Sequence, residues 1–132
     1  MTQHPILFSK MHGLGNDFVV IDAINQRING KRLPIKKIAD RHFGIGCDQV
    51  LLIESSAHAD FLCRIFNSDG SEAEQCGNGL RCVARYVHEL GLHASNTLTI
   101  ETAAGLFPAE IRDYDNICIT FPPADLSAST HK

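Results

Sequence analysis

One segment of the chain has a clear helical period. From Asn78 onward the apolar residues recur at i, i+3, i+4, i+7 and i+10: Leu80, Val83, Ala84, Val87 and Leu90. This spacing puts them on one face of an amphipathic helix. Asn78 is suited to the N-cap position, and Gly91 is suited to the position just after the last turn. The sequence therefore predicts a helix over residues 78 to about 89.

Most of the remaining sequence consists of short apolar runs between turn residues, which predict strands. These predicted strands cover residues 8–11, 18–21, 50–53, 60–66, 97–102, 109–111 and 117–121. The first two should be joined by a Gly-rich turn, and the last three should be antiparallel. Asn67-Ser68-Asp69-Gly70 predicts a chain reversal. A second, short helix is predicted from Pro34 to residue 43, ended by Gly44.

Composition and charge limit the class of protein. With 44% apolar and 20% charged residues, the 132-residue chain has the composition of one domain with its own core. No run approaches the roughly 20 apolar residues of a membrane span, and the first residues lack a signal-peptide pattern, so we expect a cytoplasmic protein. The formal charge of -3 comes without a dense Lys/Arg cluster. This favours a small-molecule partner over nucleic acid or an anionic membrane.

The cysteines point to free thiols. They are odd in number and scattered: Cys47, Cys63, Cys76, Cys82 and Cys118. That distribution suits a reducing compartment better than a disulfide framework. Cys63 and Cys118 alternate within predicted strands and are expected to pack. A zinc site drawn from Cys76, Cys82, His88 or His93 would lack the usual C-x-x-C or H-x-x-x-H spacing, so no metal is expected.

The sequence around Cys76 favours a reactive thiol. It directly precedes the predicted helix, whose unpaired N–H groups and positive dipole end favour a thiolate. Gly77 and Gly79 remove side-chain bulk, so a substrate carboxylate can approach the same backbone donors. A structural role for Cys76 stays open on these residues alone, because free cysteine is among the most often buried residue types.

Four motifs in order resemble those of one enzyme family. They are Phe8-x-Lys10-Met11-x-Gly13-x-Gly15-Asn16-Asp17-Phe18, Arg41-x-x-Gly44-Ile45-Gly46-x-Asp48-Gln49, Asn67-x-Asp69-Gly70-Ser71 and Cys76-Gly77-Asn78-Gly79-x-Arg81. Together they resemble the signature segments of the diaminopimelate epimerases. The motifs span residues 8 to 81, and the strands predicted up to residue 121 agree with that family's first domain.

The resemblance implies an α+β fold of two similar halves. Each half is a mixed, barrel-like sheet wrapped around a central helix, here residues 78–90, and the active site lies in the cleft between the halves. Residues 1–122 would form the N-terminal epimerase domain, and residues 123–132 the start of an interdomain linker or a disordered tail. No internal repeat is visible.

The resemblance also implies a reaction and a set of residues. The family interconverts LL- and meso-diaminopimelate in lysine biosynthesis, with two cysteines on opposite faces of the substrate and no pyridoxal phosphate or other cofactor. Cys76 matches the first-half cysteine. The positions that match substrate contacts are Asn16, Gln49, Asn67, Gly77 and Asn78. On residue type alone, Asn16 and Asn67 fit equally well as stabilisers of their own turns.

Nothing in the sequence takes the place of the second catalytic cysteine. We therefore expect the chain to need the missing C-terminal half of the enzyme and to be inactive alone, with a homodimer through the uncovered cleft face as another possibility. Three alternatives remain: another cofactor-independent racemase or isomerase of the same fold, such as a proline racemase; a non-catalytic thiol or zinc module; and a thiol-nucleophile hydrolase, for which no histidine base is assignable.

Overall fold

A computed structural model of the chain describes residues 6–13, 15–28, 30, 33–74, 77–113 and 116–120. Within these residues the chain forms eight strands and two helices. In chain order they are β1 (Ser9–Gly13), β2 (Asn16–Asp22), α1 (Ile35–Ala39), β3 (Gln49–Glu54), β4 (Phe61–Asn67), β5 (Glu72–Ala73), α2 (Gly77–Glu89), β6 (Thr97–Thr102), β7 (Gly105–Asp113) and β8 (Asn116–Ile119). The chain thus has the predicted α+β composition.

The strands form one mixed sheet in the order β1-β2-β3-β4-β6-β7-β8, with β5 paired to β4 beside this path. The β2–β3 and β4–β6 pairs are parallel, and the other pairs are antiparallel. Helix α1 lies in the connection between the parallel strands β2 and β3, and α2 lies in the connection between β4 and β6. Each parallel pair therefore has the long crossover that parallel strands require.

The sheet curls around α2. The helix contacts β1 at one edge of the sheet and β8 at the other, as well as β2, β3 and β7 between them. Its buried stripe packs into a core cluster with the inward side chains of the sheet. That cluster includes Leu80, Val83, Ala84 and Val87 from α2 and Phe18, Leu51, Ile65, Ile100 and Phe107 from the strands. The predicted barrel-like sheet around a central helix is confirmed.

A second core cluster covers the outer face of β2, β3 and β4. Val19, Val50 and Leu52 alternate with the residues that face α2, and they pack against α1 through Ile35 and Ala39. Because successive strand residues point to opposite faces, a strand buried on both faces has a continuous apolar run. This explains the unbroken apolar sequences of β2 and β3.

Helix α1 is shorter than predicted. The expected helix from Pro34 to residue 43 ends at Ala39, and Asp40 has extended backbone angles. The Asp40 carboxylate accepts hydrogen bonds from the backbone N–H groups of His42 and Phe43, at 2.7 and 3.1 Å. Local side-chain bonds of this kind compete with continuation of a helix. The period of apolar residues carried no sign of that competition.

Two further predictions need correction at element ends. Asn78 is the second residue of α2, which begins at Gly77, so Asn78 is not its N-cap. The first hairpin is tighter than predicted, because β1 extends to Gly13 and β2 begins at Asn16. Gly15 lies in this turn at φ +92, a conformation that favours glycine. The predicted tail, residues 123–132, and the last predicted strand residue, Phe121, lie outside the described residues.

The strand directions bring several chain segments to one end of the sheet. The parallel strands β2 and β3 both begin at this end, with Phe18 opposite Gln49. The antiparallel strand β4 finishes there, since Asn67 is the register partner of Gln49. We call this end the amide end, after the side chains that it carries.

Within the described residues, neither α1 nor α2 has the length and apolar composition of a membrane-spanning helix.

The core around α2 predicts that two leucines contribute very differently to stability: Leu80 in the first turn of α2, and Leu90 just after its last residue. Leu80 is 0% exposed within the first core cluster, and Leu90, just after α2, is 55% exposed. We expect Leu80→Ala to lower the free energy of unfolding by about 2–5 kcal/mol, because it leaves a cavity in the core. Leu90→Ala should change it by less than about 0.5 kcal/mol. Urea unfolding followed by circular dichroism measures both, and equal effects would contradict the described burial of α2.

Candidate active site

Five of the six predicted site residues are among the described residues. Asn16 begins β2, Gln49 begins β3, Asn67 ends β4, and Gly77 and Asn78 begin α2. The sixth, Cys76, lies outside the described residues. The five are separated by as many as 62 positions in the chain. The topology gathers them at the amide end.

The first pair of amides joins β2 to α2. The Asn78 Nδ2 group donates to Asn16 Oδ1 at 3.1 Å. In turn, Asn16 Nδ2 donates to Asp48 Oδ2 at 3.4 Å, and Arg81 donates from its guanidinium to Asn78 Oδ1 at 3.4 Å. Asn16 and Asn78 are both partly buried. These hydrogen bonds therefore give the Asn16 and Asn78 side chains a defined orientation at the amide end.

The second pair lies across neighbouring strands. Gln49 and Asn67 are opposite each other in the β3–β4 register, and Gln49 Nε2 donates to Asn67 Oδ1 at 3.0 Å. Asn67 Nδ2 donates to Ser71 Oγ at 3.1 Å, and the Ser71 hydroxyl donates to Asp69 Oδ1 at 2.6 Å. Asn67 also closes the predicted turn through its backbone, which accepts from the Gly70 N–H at 2.9 Å. The residue thus belongs both to the turn and to the amide pair.

The start of α2 offers backbone donors to an anion. The first N–H groups of an α-helix have no partner within the helix, and the helix dipole is positive at that end. The first turn of α2 contains no acidic side chain. A carboxylate of a bound molecule near Gly77 would meet these donors beside the Asn78 amide.

A charged network that the sequence reasoning did not assign lies behind the first pair. Arg41 donates two N–H groups to the Asp17 carboxylate, at 3.0 and 2.9 Å, and one to Asp48 at 3.2 Å. Asp17 and Asp48 are bonded reciprocally, since each backbone N–H donates to the other's carboxylate, at 3.1 and 2.9 Å. All three residues were quoted in the motifs, but their pairing over 24 and 31 positions leaves no local pattern.

The network keeps Asp17 ionised. Its side chain is only 12% exposed, yet Arg41 holds the pKa of the Asp17 carboxyl well below its ordinary value by donating two hydrogen bonds. The Asp48 backbone N–H lowers that pKa further, whereas burial opposes the shift. In return, Asp17 raises the pKa of Arg41. Gly46 permits this arrangement, because at φ +83 a side chain there would be strained and its Cβ would lie 3.1 Å from Arg41.

An open cavity of about 410 Å³ adjoins the first amide pair. It lies between β1, the first turns of α2 and β8, where the two edges of the curled sheet approach the helix. Its lining includes His12, Asn78, Arg81 and Asn116. The lining also carries the basic side chains of Arg81 and Arg85, which favour an anionic small molecule.

The described cysteines are mainly packing residues. Cys47, Cys63 and Cys82 are buried, and Cys118 in β8 is partly exposed. Burial raises the pKa of the Cys47 thiol. Cys82 borders the cavity but is only 2% exposed. The packing role predicted for Cys63 is confirmed by its burial, while Cys118 is less buried than predicted.

The alternative of a zinc site gains no support from these positions. In the part of the chain that the structure describes, no group of three or more His, Cys, Asp or Glu residues is placed to hold a metal ion. Of the side chains considered for zinc, Cys82 points into the core, whereas His88 is exposed. Cys76 lies outside the described residues.

Comparison with known proteins identifies relatives along most of the chain. A family model described as diaminopimelate epimerase matches residues 8–123. The diaminopimelate epimerase of Aromatoleum aromaticum is 54% identical over 108 residues, which cover 80% of this chain and 39% of the relative. The diaminopimelate epimerase of Thioalkalivibrio sulfidiphilus is 51% identical over 124 residues, which cover 92% of this chain and 45% of the relative. The chain thus spans less than half the length of these relatives.

Solved structures share the fold. A probable proline racemase from Agrobacterium radiobacter superposes with a TM-score of 0.63 at 22% identity, covering 83% of this chain and 39% of that chain. At this identity the likeness concerns the fold alone. It matches the curled sheet around α2, and it gives no reason to prefer the racemase alternative over the family whose model matches.

The charged network predicts an acid-sensitive contribution to stability. We expect Asp17→Asn to lower the free energy of unfolding at pH 7 by about 1–2 kcal/mol, because it weakens charge-assisted bonds to Arg41. A carboxyl whose pKa is depressed by folding stabilises the fold above its unfolded pKa of about 3.9 and loses that effect as the pH falls. The unchanged chain should therefore lose stability below about pH 4, and Asp17→Asn should lose less over the same range.

The matched control is Glu110→Gln, which breaks the exposed ion pair of Glu110 with Arg112. Exposed pairs contribute about 0–1 kcal/mol. Urea unfolding of the three proteins between pH 2.5 and 7 makes the comparison. The same pH dependence in the unchanged chain and in Asp17→Asn would contradict the assignment.

Proposed function

The chain belongs to the diaminopimelate epimerase family, and on that premise we propose that it supplies one half of an active site that interconverts LL- and meso-diaminopimelate. The proposed enzyme is a cytoplasmic isomerase of lysine biosynthesis that uses two cysteines and no pyridoxal phosphate. The observation that carries the proposal is the meeting of Asn16, Gln49, Asn67 and Asn78 at the end of the sheet where α2 begins.

Neutral amides suit an amino-acid substrate. Diaminopimelate carries ammonium and carboxylate groups, and an Asn or Gln side chain can donate to one and accept from the other. It does so without adding a charge of its own that must be desolvated in a closed site. In the proposed enzyme the amides of Asn16, Gln49, Asn67 and Asn78 orient the substrate, and the backbone N–H groups of Gly77 and Asn78 bind its α-carboxylate.

Cys76 is the proposed base of this half. It directly precedes the first residue of α2, and the N–H groups and dipole at a helix N-terminus favour a thiolate. Removal of the α-proton leaves negative charge on the α-carbon and its carboxylate. Without a cofactor to accept that charge, fixed donors in a site closed to water must stabilise it. The same backbone donors thus serve both the thiolate and the carbanion.

The second half is the proposed partner of this chain. Inversion at a carbon needs a base on one face and an acid on the other, and the chain corresponds to 39% and 45% of the two relatives compared above. The remaining part of the enzyme would supply the second cysteine. We propose residues 1–122 as the N-terminal domain and residues 123–132 as the start of the linker. Self-association through the uncovered face is the alternative partner, which light scattering tests.

A chimeric enzyme tests the proposed function. Residues 8–120 of this chain would replace the matched segment of the Thioalkalivibrio sulfidiphilus epimerase, which keeps its own second half. We expect this chimera to epimerise LL-diaminopimelate, and we expect Cys76→Ala to lower kcat by about 10²–10⁴-fold, because it removes an acid-base group. Conversion is followed by chiral chromatography together with deuterium uptake at the α-carbon.

The matched control is Cys118→Ala, which removes the partly exposed thiol of β8. This variant should keep kcat within twofold. A chimera that is folded but inactive would count against the proposed function. An active chimera in which Cys76→Ala has no effect would refute the role of Cys76.

A separate prediction concerns the 132-residue chain by itself. We expect no conversion of LL- to meso-diaminopimelate, because one thiol cannot serve both faces of the α-carbon. Proton exchange without inversion is a more limited reaction, and deuterium uptake that Cys76→Ala abolishes would show that the half-site binds substrate and removes its proton. Turnover to the meso isomer by the purified chain would contradict the two-base arrangement.

A further inference from the structure

The first amide pair is part of a longer chain of hydrogen bonds that ends on a charged residue at each side. Arg81 donates to Asn78 Oδ1 at 3.4 Å, Asn78 Nδ2 donates to Asn16 Oδ1 at 3.1 Å, and Asn16 Nδ2 donates to Asp48 Oδ2 at 3.4 Å. Neither end is free to move independently. Arg81 Nε also donates to the Ile117 carbonyl at 3.3 Å, and Asp48 accepts from Arg41 at 3.2 Å.

The chemistry of the two ends fixes the orientation of both amides. An ionised carboxylate only accepts hydrogen bonds, and a guanidinium only donates them, whereas an amide side chain does both. If Asn16 were turned over, its oxygen would face the Asp48 carboxylate and its nitrogen would face the Asn78 nitrogen. Turning Asn78 over would set its nitrogen against the Arg81 guanidinium. Each alternative replaces an attraction with a repulsion, so the two amides align in one direction.

This direction decides what the amides offer to a ligand. Each Nδ2 group has two N–H donors and spends one of them in the chain, so each keeps a second donor. Each amide oxygen is directed at its donor within the chain and keeps a second lone pair. The pair therefore presents donors to a neighbouring molecule, and a carboxylate is the substrate group that accepts them.

We propose that Asp48 and Arg81 are positioning residues, which align the Asn16 and Asn78 amides so that both direct N–H donors at the substrate carboxylate. The inference rests on the proposed function and adds two residues that act on the reaction through the amides. Asp48 acts on Asn16, Arg81 acts on Asn78, and Arg41 holds Asp48 in place.

Such alignment matters more for the reaction than for binding. When the α-proton leaves, negative charge spreads onto the carboxylate, so donors aimed at it bind the transition state more strongly than the ground state. Loss of the alignment should therefore lower kcat and leave KM nearly unchanged. A residue that served only stability would instead lower the amount of folded enzyme and leave kcat per folded molecule unaltered.

The second amide pair provides an internal comparison. Gln49, Asn67, Ser71 and Asp69 form their own chain of hydrogen bonds, in which donation runs from Gln49 to Asp69. No bond described above connects that chain to Asp48 or Arg81. Changes at Asp48 or Arg81 should thus alter Asn16 and Asn78 and spare Asn67.

The kinetic test uses the chimeric enzyme with Asp48→Leu and with Arg81→Met. Each change removes one charged end of the hydrogen-bond chain. Leucine replaces aspartate with an apolar side chain of similar size, and methionine keeps the unbranched stem of arginine. We expect kcat to fall by about 10- to 100-fold with KM within threefold, a smaller loss than the 10²–10³ that follows removal of a donor itself. Arg81→Lys keeps a cationic donor and should recover most of the lost kcat.

The matched controls are an aspartate and an arginine whose described bonds do not involve the first amide pair. Asp60→Leu removes a carboxylate that accepts from the Thr99 N–H at 2.8 Å, and Arg112→Met removes an exposed guanidinium on β7. Both should keep kcat within twofold. If Asp48→Leu proves too unstable, Arg81→Met alone decides the kinetic question, because Arg81 is exposed on α2. Unchanged kcat in Arg81→Met, or a change confined to KM, would overturn the proposal.

The orientation itself is tested on the 132-residue chain by NMR of the side-chain amide groups. We expect the two Nδ2 proton signals of Asn16 to lie far apart, because one proton is bonded to the carboxylate, and to converge in Asp48→Leu. Arg81→Met should move the Asn78 signals, with those of Asn67 unchanged in both variants. If the separation of the Asn16 Nδ2 proton signals is the same in Asp48→Leu as in the unchanged chain, the proposal is overturned, even if the chimera is inactive. An inactive unchanged chimera with the expected NMR shifts would refute the proposed function but not the alignment.

Discussion

The burial of α2 is the constraint on which the rest of the structure depends. Helix α2 buries seven of its 13 residues, a face too broad for contact with a flat sheet on one side alone. The sheet instead curls until both of its edge strands, β1 and β8, reach the helix. Residues from β2, β3, β4, β6, β7 and β8 then share one core with α2. Since α1 and its core cluster cover the outer face of the middle strands, the strands in the centre are held from both sides.

The same constraint creates the candidate site. Strands β2 and β3 are parallel and β4 is antiparallel to β3, so two strands begin and one strand ends at the amide end. Helix α2 begins at this end, and Asn78 reaches Asn16. A helix presents backbone N–H donors without a partner in the helix only at its N-terminal end. In the proposed enzyme, the groups that bind the substrate therefore lie at the amide end and not in the apolar core.

Sequence patterns could predict the elements because those patterns are local. The stripe from Leu80 to Val87 is a property of one helix, and the antiparallel strands β6, β7 and β8 follow one another in the chain. The end of α1 could not be read from the same period, because it depends on one Asp40 carboxylate bonded to two nearby N–H groups. The motifs selected Asn16, Gln49, Asn67 and Asn78. They gave no pairing, since Asn16 and Asn78 are 62 positions apart and Arg41 and Asp17 are 24 apart.

Neutral and ionised side chains occupy different places in the candidate site, for a physical reason. The groups at the amide end are neutral amides, whereas the ionised Asp17, Asp48 and Arg41 form a network behind Asn16. A charge placed against the substrate would have to be desolvated with it, at a cost that grows as the site closes. A charge bonded to an amide from behind avoids that cost and still polarises and orients the amide. The carbanion formed in the proposed reaction would thus meet donors whose direction is set by the charged residues bonded to the amides.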